Sequence, residues 1–369
     1  MRRELFYAFL LLYLFAIGYL AITLPIGPNE AKVYYTDSGV LYALSHFAKG
    51  WFSNGLDFRL PFFLSATVNI VLFLMVSQIY FSKKEESYLS TAIFMLLPGI
   101  ITSAIVVNIA VVVITLVLLF ILFYVKRQLT LQTITILLLL VIHDASIIFF
   151  TALAIFSWVK KEHYLLILSL GAFLLSLIFF NGLDIGGKPK GDFLALFGLY
   201  MALFSPLVFL YFFYALYRIW LREEKDILWY ISFTAFILSL ILSLRQEVKI
   251  TDFAPYVIVS VLLMIVVFQK TLQVRLPQFQ KGYRFGFYLL IGSLVTSASI
   301  LFFHKSFFYL LDDKSKHFAY RFYEPYWQVE ELHEIGQDCY TVTSKKVQYQ
   351  LKYYGIEECK ESYVPKIHR

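Results

Sequence analysis

Long apolar runs constrain this chain more than any other feature. Residues 5–24, 60–81, 87–125, 129–159, 164–180, 193–217, 227–244, 253–268 and 285–303 are runs of this kind, separated by short polar breaks. About 20 apolar residues cross a bilayer core as one helix, and a helix satisfies its own backbone in hydrocarbon. A membrane barrel would need alternating segments of about ten residues, which the sequence lacks. Only 15% of the 369 residues are charged, against about 25% in a soluble domain. The chain reads as an all-α polytopic membrane protein.

Two runs are too long for one crossing. Residues 87–125 contain Pro98-Gly99 and divide near 104–108. Residues 129–159 carry His143-Asp144 near their middle and fold back as a hairpin of two short helices. The count becomes about eleven transmembrane helices. Met1-Arg2-Arg3-Glu4 gives the first run a basic start, as in a secretory signal. That run is long for a signal and lacks a small-x-small cleavage site, so it reads as an uncleaved helix with its amino terminus inside. Alternation then places fifteen Lys and Arg in inner loops, Lys126, Arg127, Lys160, Lys161 and Arg222 among them, and seven in outer loops. This asymmetry follows the positive-inside rule. The net charge of +7 sits mostly in such short pairs, not in the basic, aromatic-rich face that nucleic acid requires.

The composition changes after Phe303. Residues 1–303 form the membrane domain, and 304–369 a small extracytoplasmic α/β appendage with equal numbers of acidic and basic residues. Val329, Leu332 and Ile335 share a helical face that ends at Gly336. Cys339 to Thr343 reads as a strand. Ser344 then caps a helix that runs to Tyr354 and stops at Gly355, before a short segment at 356–359. Cys339 and Cys359 form a disulfide in an oxidising compartment or remain two free thiols. No other cysteine competes for either, which favours the bridge, and their spacing matches no zinc site.

Soluble-enzyme signatures are absent: no phosphate-binding glycine loop, no dinucleotide fingerprint, no HExxH, no GxSxG. Gly182-Leu-Asp-Ile-Gly-Gly187 lies between apolar runs and reads as loop. Polar groups gather instead at the outer face. The loop at 25–59 offers Asn29, Glu30, Lys32, Asp37, His46, Asp57 and Arg59. Later outer loops add Asp184, Lys188, Lys190, Asp192, Arg245, Glu247, Lys249 and Asp252. Carboxylates beside cations at one membrane face suit transfer from a lipid phosphate. The carboxylate would take a proton from the acceptor, and Lys or Arg would bind the phosphate leaving group. His143-Asp144, an ionisable pair within an apolar run, is a further candidate.

The order of motifs resembles the GT-C superfamily of integral membrane glycosyltransferases, in its protein O-mannosyltransferase and aminoarabinose transferase branch. The motifs are Gly27-Pro28-Asn29-Glu30-Ala31 with Tyr34-Tyr35, Asp57-Phe-Arg-Leu-Pro-Phe-Phe63, Leu96-Leu-Pro-Gly99, Leu242-Ser-Leu-Arg-Gln246 and Phe253-Ala-Pro-Tyr256. The likeness covers roughly residues 5–300 and leaves the appendage out. It implies transfer of a sugar from a polyprenyl-phosphate carrier to a glycan, lipid or protein acceptor, among membrane lipids, at the outer face of a bacterial inner membrane. Glu30, Asp37 or Asn29 would hold the catalytic position, and Arg59, Arg245, Lys249 and Lys188 the phosphate. Asn29 stands where the family carries the first acid of an Asp-Glu pair, and Asn108 is neutral at the second acidic position. No cofactor is certain; a divalent metal is an option. Rival readings are a flippase or transporter of a lipid-linked substrate, which normally shows internal repeats, and a glycan polymerase or ligase.

Overall fold

The computed structural model describes residues 1–36, 39–180 and 193–359, and among them the chain is helical with no strand. Among the described residues five helices are long and apolar enough to cross a membrane: Arg3–Thr23, Leu56–Tyr80, His163–Phe180, Ile250–Val274 and Pro277–Phe302. Two bent pairs, Lys84–Leu96 with Pro98–Ile105 and Phe193–Phe204 with Pro206–Arg222, bring the number to seven if each is one crossing. This is a helical membrane protein. The chain divides into two compact units.

One unit comprises Met1–Phe15, Leu64–Ala104 and Asn108–Leu301. Its core joins Ile109–Val125, Ile147–Lys160, Ile227–Ser243 and Ile250–Val274 through residues such as Phe120, Phe149, Phe236 and Leu262. The 87–125 run breaks where the sequence expects. Pro98 interrupts it first, with a 63° bend, and a second helix begins at Ile109. Asn108 caps that helix by accepting from the Ala110 N–H, an N-cap use that explains an amide there. The 129–159 run also breaks at His143, where Leu129–Ile142 gives way to a 3-10 turn at Asp144–Ser146 and then to Ile147–Lys160. Buried hydroxyls mostly bond back into their own helix, Thr91 to the Ser87 carbonyl and Ser157 to that of Leu153. Asn69 reaches across to the Val111 carbonyl at 2.8 Å, a polar tie between two apolar helices. His163–Phe180 and Pro277–Phe302 leave large apolar side chains such as Ile167, Ile178 and Tyr288 uncovered, as lipid-facing helices do.

The other unit comprises Ala16–Phe63, Ile105–Val107 and Phe302–Arg369. The expected loop at 25–59 is largely helical: Pro28–Thr36 and Val40–His46 form two short helices, and Arg59 lies in the first turns of Leu56–Tyr80. The residues after 303 are not a separate body. Lys345–Tyr353 packs on Pro28–Thr36, and Tyr349, Tyr353 and Tyr354 close over Ile26, Ala31 and Phe58. Tyr320–Glu334 and Lys345–Tyr353 bury Val329, Leu332, Leu351 and Ile356 between them.

Both helices end as their glycines foretell. Gly336 and Gly355 have positive φ. Gln337 N–H reaches the Leu332 carbonyl, and Ile356 N–H that of Leu351, the Schellman arrangement. Ile335 differs from expectation: it is exposed, because the helix ends before it. The expected strand at 339–343 reduces to one bridge between Cys339 and Glu357. Its remaining polar groups turn to a side chain instead of a ladder: Gln348 accepts from the Val342 N–H and donates to the Tyr340 carbonyl. A disulfide joins Cys339 to Cys359.

Candidate functional site

The candidate residues fall on both units. In the unit holding residues 16–63, the Pro28–Thr36 helix starts by rule. Gly27 is its N-cap, Pro28 fits the first helical position, and Glu30 at the third turns back to accept from the Gly27 N–H at 2.8 Å. A side chain at 27 would come within 2.5 Å of the Phe322 ring, which would have to shift to admit it. Glu30 is 2% exposed and Arg59 0%. Glu30 Oε1 accepts from Arg59 Nε at 2.9 Å and Val107 N at 2.8 Å; Oε2 accepts from Arg59 Nη2 at 2.6 Å and from Gly27. Four donors fill this carboxylate.

Arg59 is equally engaged. Nη1 donates to the Ala21 and Leu24 carbonyls at 3.0 and 2.7 Å, and Nη2 also donates to that of Pro25 at 3.0 Å. With the two bonds to Glu30, all five guanidinium N–H groups are used. The expectation that Arg59 binds phosphate is therefore corrected: no donor remains, and the group is out of reach of solvent. It ties the end of the first apolar helix to the start of the second. Glu30, expected as the base, has its charge offset by Arg59 and no free lone pair. In this arrangement it positions chain. Asn29 is exposed, with Oδ1 accepting from Lys346 Nζ at 2.8 Å. Asp37 and Lys188 lie outside the described residues.

In the other unit the turn after Ile227–Ser243 carries Arg245 and Lys249, both exposed and in no ion pair among the described residues. It leads into the helix whose first turn holds half-buried Asp252. The 3-10 turn at Asp144–Ser146 packs on that helix. It brings the exposed Asp144 carboxylate within electrostatic reach of Asp252 and of the Tyr256 phenol, and Lys249 also acts on Asp252. Tyr256 is fully buried, and its hydroxyl has no partner among the described residues; nor has Nδ1 of buried His143. A buried polar atom without a partner costs about 1–3 kcal/mol, so both are atoms that a water or substrate group would stabilise.

The structure thus joins Glu30 to Arg59, gathers Lys249 and Asp144 near Asp252, and leaves Arg245 on the turn that leads to them. The sequence named all six residues but missed the convergence of Asp144, Asp252 and Tyr256. A signal for part of it exists, since Asp252 and Tyr256 are four apart and share a helical face. Among the described residues no three His, Cys, Asp or Glu side chains gather to hold a metal. No protein-family model matches the chain, and no curated protein matches it as a relative.

Proposed function

We propose that the chain is a glycosyltransferase that moves a sugar from a polyprenyl-phosphate carrier to an envelope glycan, lipid or protein acceptor at the outer face of a bacterial inner membrane. In this reading eleven helices cross, with the amino terminus cytoplasmic and the carboxyl terminus extracytoplasmic. The observation that carries it is the approach of Asp144 and Lys249 to Asp252 at the start of one helix, with Arg245 exposed on the turn that leads into it and neither cation in an ion pair among the described residues. The order of sequence motifs supports it, and so does the disulfide, which belongs to an oxidising compartment.

The chemistry assigns each group a part. An acceptor hydroxyl or amine attacks the anomeric carbon as its proton passes to Asp252. The bond from that carbon to the phosphate oxygen breaks, and the electron pair leaves with the polyprenyl phosphate. Arg245 and Lys249 offset the charge that develops there. Asp144 adds a second carboxylate within electrostatic reach of Asp252. Glu30 holds the neighbouring chain and takes no proton. Asp252→Asn is expected to lower transfer by about 100-fold or more with unchanged thermal unfolding, measured by sugar release from a polyprenyl-phosphate donor in proteoliposomes. Full transfer in both Asp252→Asn and Asp144→Asn would remove the assignment.

A further inference from the structure

A cavity lies within the unit that contains the disulfide. It measures about 590 Å³, inside the roughly 300–1,000 Å³ typical of small-molecule sites. Its floor is the chain from Ile22 to Ile26, where the first apolar helix ends. That floor is held from below, because Arg59 takes the Leu24 and Pro25 carbonyls and Gln350 takes that of Ile26. Gly55 lets its segment approach the end of that helix closely, since a side chain there would meet the Ala21 carbonyl oxygen at 2.5 Å.

Aromatic rings line the cavity: Phe52, Phe58, Tyr323, Tyr326, Tyr353 and Tyr354. Their planes are fixed before any ligand arrives. Tyr323 Oη bonds His304 Nε2 at 2.9 Å, and Tyr354 Oη accepts from the Ile26 N–H at 3.0 Å. Tyr326 meets Tyr354 edge-on, and Tyr353 meets Phe58 the same way. Polar groups alternate with these rings. Asn54 uses Oδ1 on the Leu56 N–H, which leaves its amide N–H groups to donate, and Ser53 stands beside it. Lys305 at the rim is exposed and in no ion pair among the described residues.

This combination selects among ligands. An acyl chain would want walls free of stranded donors. A nucleoside polyphosphate would want several cations in bidentate geometry, and the lining holds one lysine. Flat rings interleaved with hydroxyl and amide groups suit a pyranose, whose C–H faces stack on aromatics while its hydroxyls bond at the edges. We infer that this cavity binds the ring of a sugar carrying a single anionic substituent, with Lys305 on the charge. The residues beyond 303 that build it lie outside the stretch that resembles a known family, and the inference does not depend on the transferase reading.

The test is binding, with no transfer required. Full-length protein in lipid nanodiscs, free of sugar detergents, is examined by saturation-transfer NMR with glucose 6-phosphate, glucose and inorganic phosphate. Glucose 6-phosphate is expected to receive saturation on its ring protons, with glucose weaker. Lys305→Gln, a surface change, should weaken glucose 6-phosphate about tenfold, to the level of glucose. Tyr326→Ala should weaken both sugars alike. Absence of ring-proton saturation at about 10 mM, unchanged binding in Lys305→Gln, or displacement of the sugar phosphate by an equal concentration of inorganic phosphate would each overturn the inference.

Discussion

At the scale of single residues, the buried pair of Glu30 and Arg59 sets what can be changed. A carboxylate and a guanidinium taken together from water gain little net stability. Removing one partner, however, strands the other charge at a cost of about 3–5 kcal/mol. Glu30→Gln keeps the shape and the bond from the Gly27 N–H, yet leaves the Arg59 charge unopposed among the Ala21, Leu24 and Pro25 carbonyls. We expect a fall in unfolding temperature, read by intrinsic fluorescence in nanodiscs, with substrate turnover reduced only as far as folded protein is lost. A stable but inactive Glu30→Gln would instead make Glu30 the base. Sequence shows the local half of this feature, since Gly27-Pro28-x-Glu30 is a helix start with a reaching carboxylate. It does not show that a residue 29 positions away supplies the countercharge, because such pairing is a property of packing.

At the scale of elements, what was legible followed backbone chemistry. Pro98, Asn108 and His143 mark helix breaks, and Gly336 and Gly355 mark helix ends. The expected strand failed because its partner is the side chain of Gln348, which no periodicity announces. The turn around His317 carries a pH dependence of the same local kind. Its Nε2–H donates to the His304 carbonyl at 3.1 Å, and Nδ1 accepts from the Ala319 N–H at 3.0 Å. Burial lowers the pKa of the ring below the usual 6.5, and protonation at Nδ1 would cost the bond from Ala319. The unfolded chain therefore binds a proton that the folded one refuses. The stabilisation is complete above about 6.5, the unfolded value, and is lost as pH falls from there toward the lowered folded value. His317→Gln should unfold at lower temperature than the parent at pH near 7.5, with a smaller further loss at pH 5.5. Equal slopes for the two proteins would exclude His317 as the source.

At the scale of the whole molecule, the number of crossings separates two arrangements of the same helices. Leu129–Ile142 and Ile147–Lys160 have 14 residues each, or about 21 Å at 1.5 Å per residue, against a hydrocarbon core of about 30 Å. Ile109–Val125 and Ile227–Ser243 have 17 each and reach about 25 Å. If none of these four crosses, seven spans remain. Lys126, Arg127, Lys160, Lys161, Arg222 and Lys225 then all lie outside, against the positive-inside rule. If all four cross, these cations return to the cytoplasm, and the shortfall in length is met by local thinning of the bilayer at a fraction of a kcal/mol per Å. Both arrangements put the disulfide outside, so the carboxyl terminus cannot tell them apart, whereas Arg127 and Lys225 can. Alkaline phosphatase fused after either residue is expected to be inactive, and a fluorescent-protein fusion there bright, with the reverse pattern after residue 359. Active phosphatase at both inner sites would reduce the crossings to seven and bring the short helices to the outer side.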